Sequence, residues 1–304
     1  MTVATFPAPA SITLGTVQLG MAYGRVVETQ PPDHETRLKM LDLAVQEGVS
    51  CIDTAAAYGD AETAIGDWLR MREPAALRPT IVTKLAALHE ADGRDYPAAI
   101  RRRIEDSQDR MGLQRIDGCL VHRPSDMLMP GVAETLRALV DEGSVSGFGV
   151  SVYDASELEH ALTVEGVALI QAPHSLFDRR IAQSGLLAEC EARGIMVFAR
   201  SVFLQGVAFL KPEQLPAGLA ALAPPLAMLN ELANSTGLSI AALCLGAALA
   251  EPGVSSVVIG ASNPTELAAN LEAGGTCLDP DLLAETHAIA AGLDEAVLDP
   301  RRWP

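Results

Sequence analysis

Eight short runs in this chain are apolar at almost every position, and longer stretches between them carry apolar residues every three or four positions. The runs cover residues 12–15, 50–54, 80–84, 116–121, 146–152, 168–171, 195–199 and 255–259, and β-branched residues recur in them. Strands apolar on both faces are covered on both faces, the condition of a parallel sheet wrapped by helices. The helical spacing is clearest over residues 34–47, 61–71, 97–111, 132–142, 156–162 and 185–193. Gly48, Gly143 and Gly194 each stand between a helix and the next strand, where a left-handed helix stop is expected. Pro97 suits a first helical turn, and Asp154 suits a cap for the helix after the fifth strand.

Eight strand–helix units of this length predict an α/β fold: a parallel, eight-stranded (β/α)8 TIM barrel forming a single domain over residues 1–304. An open doubly wound sheet is the alternative, but no GxGxxG follows the first strand. Two connections are long, residues 17–32 and 205–225. Residues 281–304 lie beyond the eighth unit and predict an extra C-terminal helix and tail.

Composition narrows the partners. The net charge of -17 argues against nucleic acid and against an anionic membrane, which both reward clustered Lys and Arg. Cys51, Cys119, Cys190, Cys244 and Cys277 are scattered with no CxxC pair, which reads as buried reduced thiols and no metal site. Residues 1–10 lack the pattern of a signal peptide, and the apolar stretch 238–250 is too short to span a bilayer, so a cytoplasmic chain is expected.

In a parallel barrel, chemistry sits where the strands end. The polar residues ending these runs are Asp53 with Tyr58 beyond it, Lys84, His122, Ser151, Gln171, and Arg200 with Ser201. Each has an ordinary structural reading. Asp53 can be a cap, Tyr58 a packed turn tyrosine and His122 a structural histidine. Lysine is scarce, at positions 39, 84 and 211 only, and Lys84 in a confined mouth needs a partner such as Asp53.

The segments from Ile52 to Glu62, Val82-Thr83-Lys84 and Leu120-Val121-His122-Arg123-Pro124 together resemble the aldo-keto reductase family, in its bacterial branch. The resemblance extends to Gly147–Ser151, Ile170-Gln171, Arg200–Gly206 and Gly260–Asn270. It implies hydride transfer between a nicotinamide and a small carbonyl or alcohol. Tyr58 would donate the proton, Lys84 would lower the tyrosine's pKa from about 10, Asp53 would hold Lys84, and His122 would bond the carbonyl oxygen.

The same resemblance implies a cofactor site. Gly15 and Thr16 would contribute from the first strand, and Ser151 and Gln171 would hold the carboxamide. Val152 replaces an asparagine frequent in the family. Arg200 replaces an aromatic and offers a planar guanidinium for stacking. Ser201, Phe203 and Gly206 would follow the pyrophosphate. Gly260, Ser262, Asn263, Glu266 and Asn270 would surround the adenosine. Where many relatives carry cations for the 2′-phosphate of NADP, this chain has Gly260 and Glu266, which tilts the choice between NAD and NADP slightly to NADH. Tyr23, Arg123 and Trp303 are candidate substrate walls, suited to a polar carbonyl such as a sugar. Two other readings remain at this point: a cofactor-holding redox-sensing partner subunit with slow turnover, and a Schiff-base lyase using Lys84. The oligomeric state is left open.

Overall fold

Each of the eight runs forms a strand: β1 (Ile12–Gly15), β2 (Cys51–Asp53), β3 (Thr80–Leu85), β4 (Gly118–Val121), β5 (Phe148–Ser151), β6 (Val167–Pro173), β7 (Met196–Arg200) and β8 (Ser256–Ile259). Consecutive strands pair in parallel, and β1 pairs with β8 to close the barrel. The structure is a computed structural model that describes residues 11–73, 77–89, 92 and 95–303. The expected strand over 116–121 starts later, because Ile116 makes only an isolated bridge to Val145.

Helices follow the strands as the spacing predicts, among them His34–Gln46, Ala61–Met71, Tyr96–Met111, Val132–Asp141 and Ala155–Leu162. Pro97 lies in a first turn, and the Asp154 carboxylate accepts the Glu157 N–H. Gly48, Gly143 and Gly194 all take positive φ. The helix Ile240–Leu249 is apolar all round because Ala241 through Ala248 are all buried. Among the described residues no single helix is long and apolar enough to cross a membrane. Residues 217–236 and 240–249 reach that length and composition only together, and are bent by 99°. Four of the cysteines are buried as expected, but Cys277 is exposed, after the end of the helix Pro264–Ala273.

Side chains alternate across a strand, and this alternation builds the site. Cys51, Val82, Leu120, Leu169 and Phe198 pack together in a cluster separate from the larger core between strands and helices. Two residues further along the same strands stand Asp53, Lys84, His122, Gln171 and Arg200. The apolar layer is thus a floor, and the next inward position of each strand carries a polar group. Thr13 and Ser256 add a 2.7 Å hydroxyl pair between β1 and β8.

The long connections are ordered. The segment after β1 contains the turn Val17–Gly20 and a bridge between Tyr23 and Thr29. The second long connection, residues 205–225, runs through 3-10 turns into the helix Ala223–Thr236. The C-terminal extension is not one helix but two, Pro280–Ala288 and Glu295–Leu298, followed by the 3-10 turn Pro300–Arg302.

Candidate active site

Lys84 and Asp53 form a buried ion pair at the centre of the barrel mouth, with side chains 1% and 4% exposed. The lysine Nζ lies 2.7 Å from both carboxylate oxygens and donates to the Thr54 carbonyl at 3.0 Å. It also sits 4.7 Å from the centre of the Tyr58 ring. The His122 ring meets Tyr58 edge-on, with centroids 5.8 Å apart. Tyr58 is fixed from below by glycine. A Cβ on Gly20 would fall 1.8 Å from the Tyr58 carbonyl oxygen, and Gly59 turns the chain with φ +53°. These two glycines let the turn after β1 pack directly on the tyrosine backbone.

Burial opposes the charge on Lys84, but the Asp53 carboxylate and the Tyr58 phenol hold its pKa above the ordinary lysine value. The lysine therefore stays an ammonium. Burial raises the Tyr58 pKa, with Lys84 pulling against it, so the net direction is upward. The lowering expected of Lys84 is present, but in the protein alone it is smaller than the effect of desolvation. Burial, then the charges of Lys84 and Arg200, push His122 down to about 4, leaving a neutral imidazole.

A cavity of about 450 Å³ opens over these groups, lined by Asp53, Tyr58 and His122 at one end and by Gly260 and Glu266 at the other. Between them runs the loop after β7, where Ser201, Leu204, Gln205 and Gly206 all have positive φ. Such left-handed non-glycine residues cost roughly 1–2 kcal/mol each and concentrate at functional sites. Val27 closes over this loop, close to Gly206, and the Arg25 N–H donates to the Gln205 side chain at 3.2 Å.

Residues 11–291 match the model of the aldo/keto reductase family. The chain belongs to that family. It is 30% identical to aldo-keto reductase YhdN of Bacillus subtilis over 162 residues, 51% of this chain and 48% of that protein. It is 29% identical to the NADH-specific methylglyoxal reductase of Escherichia coli over 181 residues, 53% and 54% of the two chains. These matches span about half the length of the curated relatives. A longer match, 26% identical over 79% of both chains, is to L-glyceraldehyde 3-phosphate reductase of Escherichia coli. The fold is shared with the glycerol dehydrogenase AKR11B4 of Gluconobacter oxydans, with TM-score 0.75 and 22% identity over 97% of this chain and 99% of that one.

Against this aldo/keto reductase frame, the expected cofactor residues divide. Gly15, Ser151, Gln171 and Arg200 line the cavity, as do Ser201, Phe203, Gly206, Gly260 and Glu266. Thr16, Ser262, Asn263 and Asn270 are not in its lining. The Thr16 hydroxyl is buried and donates to the Asp53 carbonyl at 3.0 Å. Ser262 does not point free donors into the cavity. Instead, the Glu266 carboxylate accepts both its N–H, at 2.8 Å, and its hydroxyl, at 2.6 Å. Asn263 caps the helix by accepting the Glu266 N–H. Asn270 is buried in that helix.

Two substrate candidates do not line the cavity. Arg123 faces away from the cavity, bonding Asp126 and the Leu88 carbonyl. Trp303 is buried against the barrel with its indole N–H on the Val297 carbonyl at 3.1 Å, though its own carbonyl accepts from Arg25. Tyr23 does line the cavity, and burial pushes its phenol up to about 12. Sequence reasoning missed Tyr153 and Arg301. Tyr153 follows β5 and lies between two guanidinium groups, Arg200 at 4.3 Å and Arg301 at 3.8 Å. The signal was present for Tyr153, an aromatic two residues past a strand-end serine. Arg301 reaches the mouth from the far end of the chain, which no local pattern announces.

Proposed function

We propose that this chain is an NAD(P)H-dependent carbonyl reductase in which Tyr58 is the general acid. The observation that carries the reading is the buried, charged Lys84 held by Asp53 beneath the Tyr58 ring, with neutral His122 beside it in one cavity. Bound nicotinamide would supply the hydride. Lys84 steadies the negative charge that remains on Tyr58 after its proton has left, and Asp53 keeps Lys84 charged and in place. His122, uncharged, can donate a hydrogen bond to the carbonyl oxygen without competing for the proton. Run backwards, Tyr58 takes the proton of an alcohol.

The residues fit a dinucleotide. Gly15 and Gly260 present bare backbone to the cavity and pack tightly on its wall, where a Cβ would fall 2.9 Å from the Val258 side chain and 1.9 Å from that of Gln18. Ser201, Phe203 and Gly206 would lie along the pyrophosphate. At the adenosine end, NADH is the better fit. The Glu266 carboxylate already takes the Ser262 donors that a 2′-phosphate would use, and its charge repels that group. NADH specificity is also in the name of one relative.

The substrate is a small polar carbonyl. Tyr23, Arg25 and Tyr153 line the cavity and favour hydroxylated or oxygen-rich aldehydes. Two relatives are named for such compounds, methylglyoxal and L-glyceraldehyde 3-phosphate. A Schiff-base lyase is not favoured, since Lys84 is charged and ion-paired and cannot attack a carbonyl. The reading of a cofactor-holding partner subunit finds no support in these comparisons, which return named reductases.

The test is titration with NADH and NADPH by nicotinamide fluorescence, then turnover with aldehydes, ketones and sugars. Tighter NADH binding with reduction of polar aldehydes is expected. Binding of neither nucleotide would refute the assignment.

A further inference from the structure

Most arginines in the described residues are within 4 Å of a carboxylate, as befits a chain of net charge -17. Arg200 is an exception that matters. It ends β7, is half-buried, lines the cavity, and has no carboxylate that close among the described residues. It is not free to find one. Its guanidinium donates to the Val152 carbonyl at 2.9 Å and to the Ser201 hydroxyl at 3.3 Å, and one face lies on Tyr153. Asp299, which lines a small cavity together with Arg200, is taken by Arg301 through bonds of 2.8 to 3.0 Å. Of the other cations around the mouth, Lys84 is paired with Asp53, Arg301 with Asp299, and Arg25 donates to the Trp303 carbonyl.

Arg200 therefore contributes an uncompensated positive charge to a confined cavity. Its field reaches the reacting groups, since it helps to depress His122 and acts on Tyr58 and Tyr23. A nicotinamide that delivers hydride to a carbonyl held by Tyr58 and His122 must lie among the same groups. The reduced ring is neutral and the oxidised ring carries a formal positive charge.

We propose that Arg200 determines which oxidation state of the cofactor the site holds, favouring the neutral reduced ring and weakening the grip on the cationic oxidised ring. This rests on the reductase reading above and deepens it. Arg200 acts here as a specificity-determining residue for the two nucleotide states, and its consequence is a site that loads reduced cofactor and lets the oxidised form go.

Dissociation constants for NADH, by fluorescence, and for NAD+, by competition against NADH, test this in the unmodified protein, Arg200→Lys and Arg200→Gln at low salt. Two unit charges near a protein surface interact strongly enough to shift binding by about tenfold or more. The unmodified chain is expected to bind NADH at least about tenfold more tightly than NAD+, Arg200→Lys to keep that ratio, and Arg200→Gln to reduce it about tenfold, chiefly by tightening NAD+. An unchanged ratio in Arg200→Gln, or equal weakening of both nucleotides, overturns the inference alone. Failure of the unmodified chain to bind either nucleotide overturns the reductase reading and the inference with it.

Discussion

The side-chain amide of Gln171 donates to an Asp53 oxygen at 2.7 Å, across the barrel from β6 to β2. That oxygen also accepts from Lys84. Gln171 thus orients the ion pair behind Tyr58 as well as lining the cavity. Replacing it with leucine removes a buried bond to a charged group, a loss of about 1.5–3 kcal/mol. Gln171→Leu is expected to unfold at correspondingly lower denaturant and to lose about tenfold in kcat. Full retention of both would show that Lys84 and Asp53 need no such support.

Lys84→Met separates stability from catalysis. It leaves the Asp53 carboxylate buried without its cation, and breaking such a pair costs about 3–5 kcal/mol. Denaturant unfolding should show that loss, and carbonyl reduction should nearly vanish. Removing the stranded charge as well, in Asp53→Leu/Lys84→Met, should restore much of the stability and none of the turnover. A double variant as unstable as the single one would contradict the electrostatic account.

The architecture was legible because its signal is periodic. Strands buried on both faces must be apolar throughout, and although each polar residue ending such a run has an ordinary reading, their joint occurrence on successive strands marked Asp53, Lys84 and His122. Arg123 and Thr16 lie past the ends of β4 and β1, each just before a helical turn, where strand alternation no longer sets the side-chain direction and local partners, Asp126 and the Asp53 carbonyl, take them up. Ser262 was misread because its donors are satisfied by Glu266 four residues on, a bond that composition does not reveal. Arg301, Tyr153 and Arg200 form a stack from three distant parts of the chain, and only the closed barrel brings them together.

Two histidines make stability depend on pH. Burial pushes His122 and His174 down from 6.5 to about 4. The unfolded chain takes up those protons at higher pH than the folded chain, so stability is present above pH 6.5 and falls as pH drops toward 4. At pH 5 each histidine should account for a loss of about 2 kcal/mol relative to pH 7. Unfolding free energies at the two pH values should fall less steeply in His174→Gln than in the parent, and equal slopes would refute the assignment. Reduction should stay flat from about pH 6 to 9, since Tyr58 and Lys84 titrate above that range and His122 below it.

Glu266 should set the adenosine preference. Glu266→Gln removes the charge but keeps an acceptor for Ser262, and should narrow the difference between NADH and NADPH about tenfold, mainly through tighter NADPH binding. Fluorescence titration of both nucleotides reads this directly. An unaltered preference would place the 2′ position elsewhere.

The central claim is that Tyr58 carries the proton. Tyr58→Phe keeps the ring beside Lys84 and His122 and removes only the hydroxyl. Paired measurement of NADH affinity and of steady-state reduction of a polar aldehyde should show affinity within about threefold of the parent and turnover reduced by about 10²–10⁴. Near-normal turnover with intact NADH binding would contradict the account.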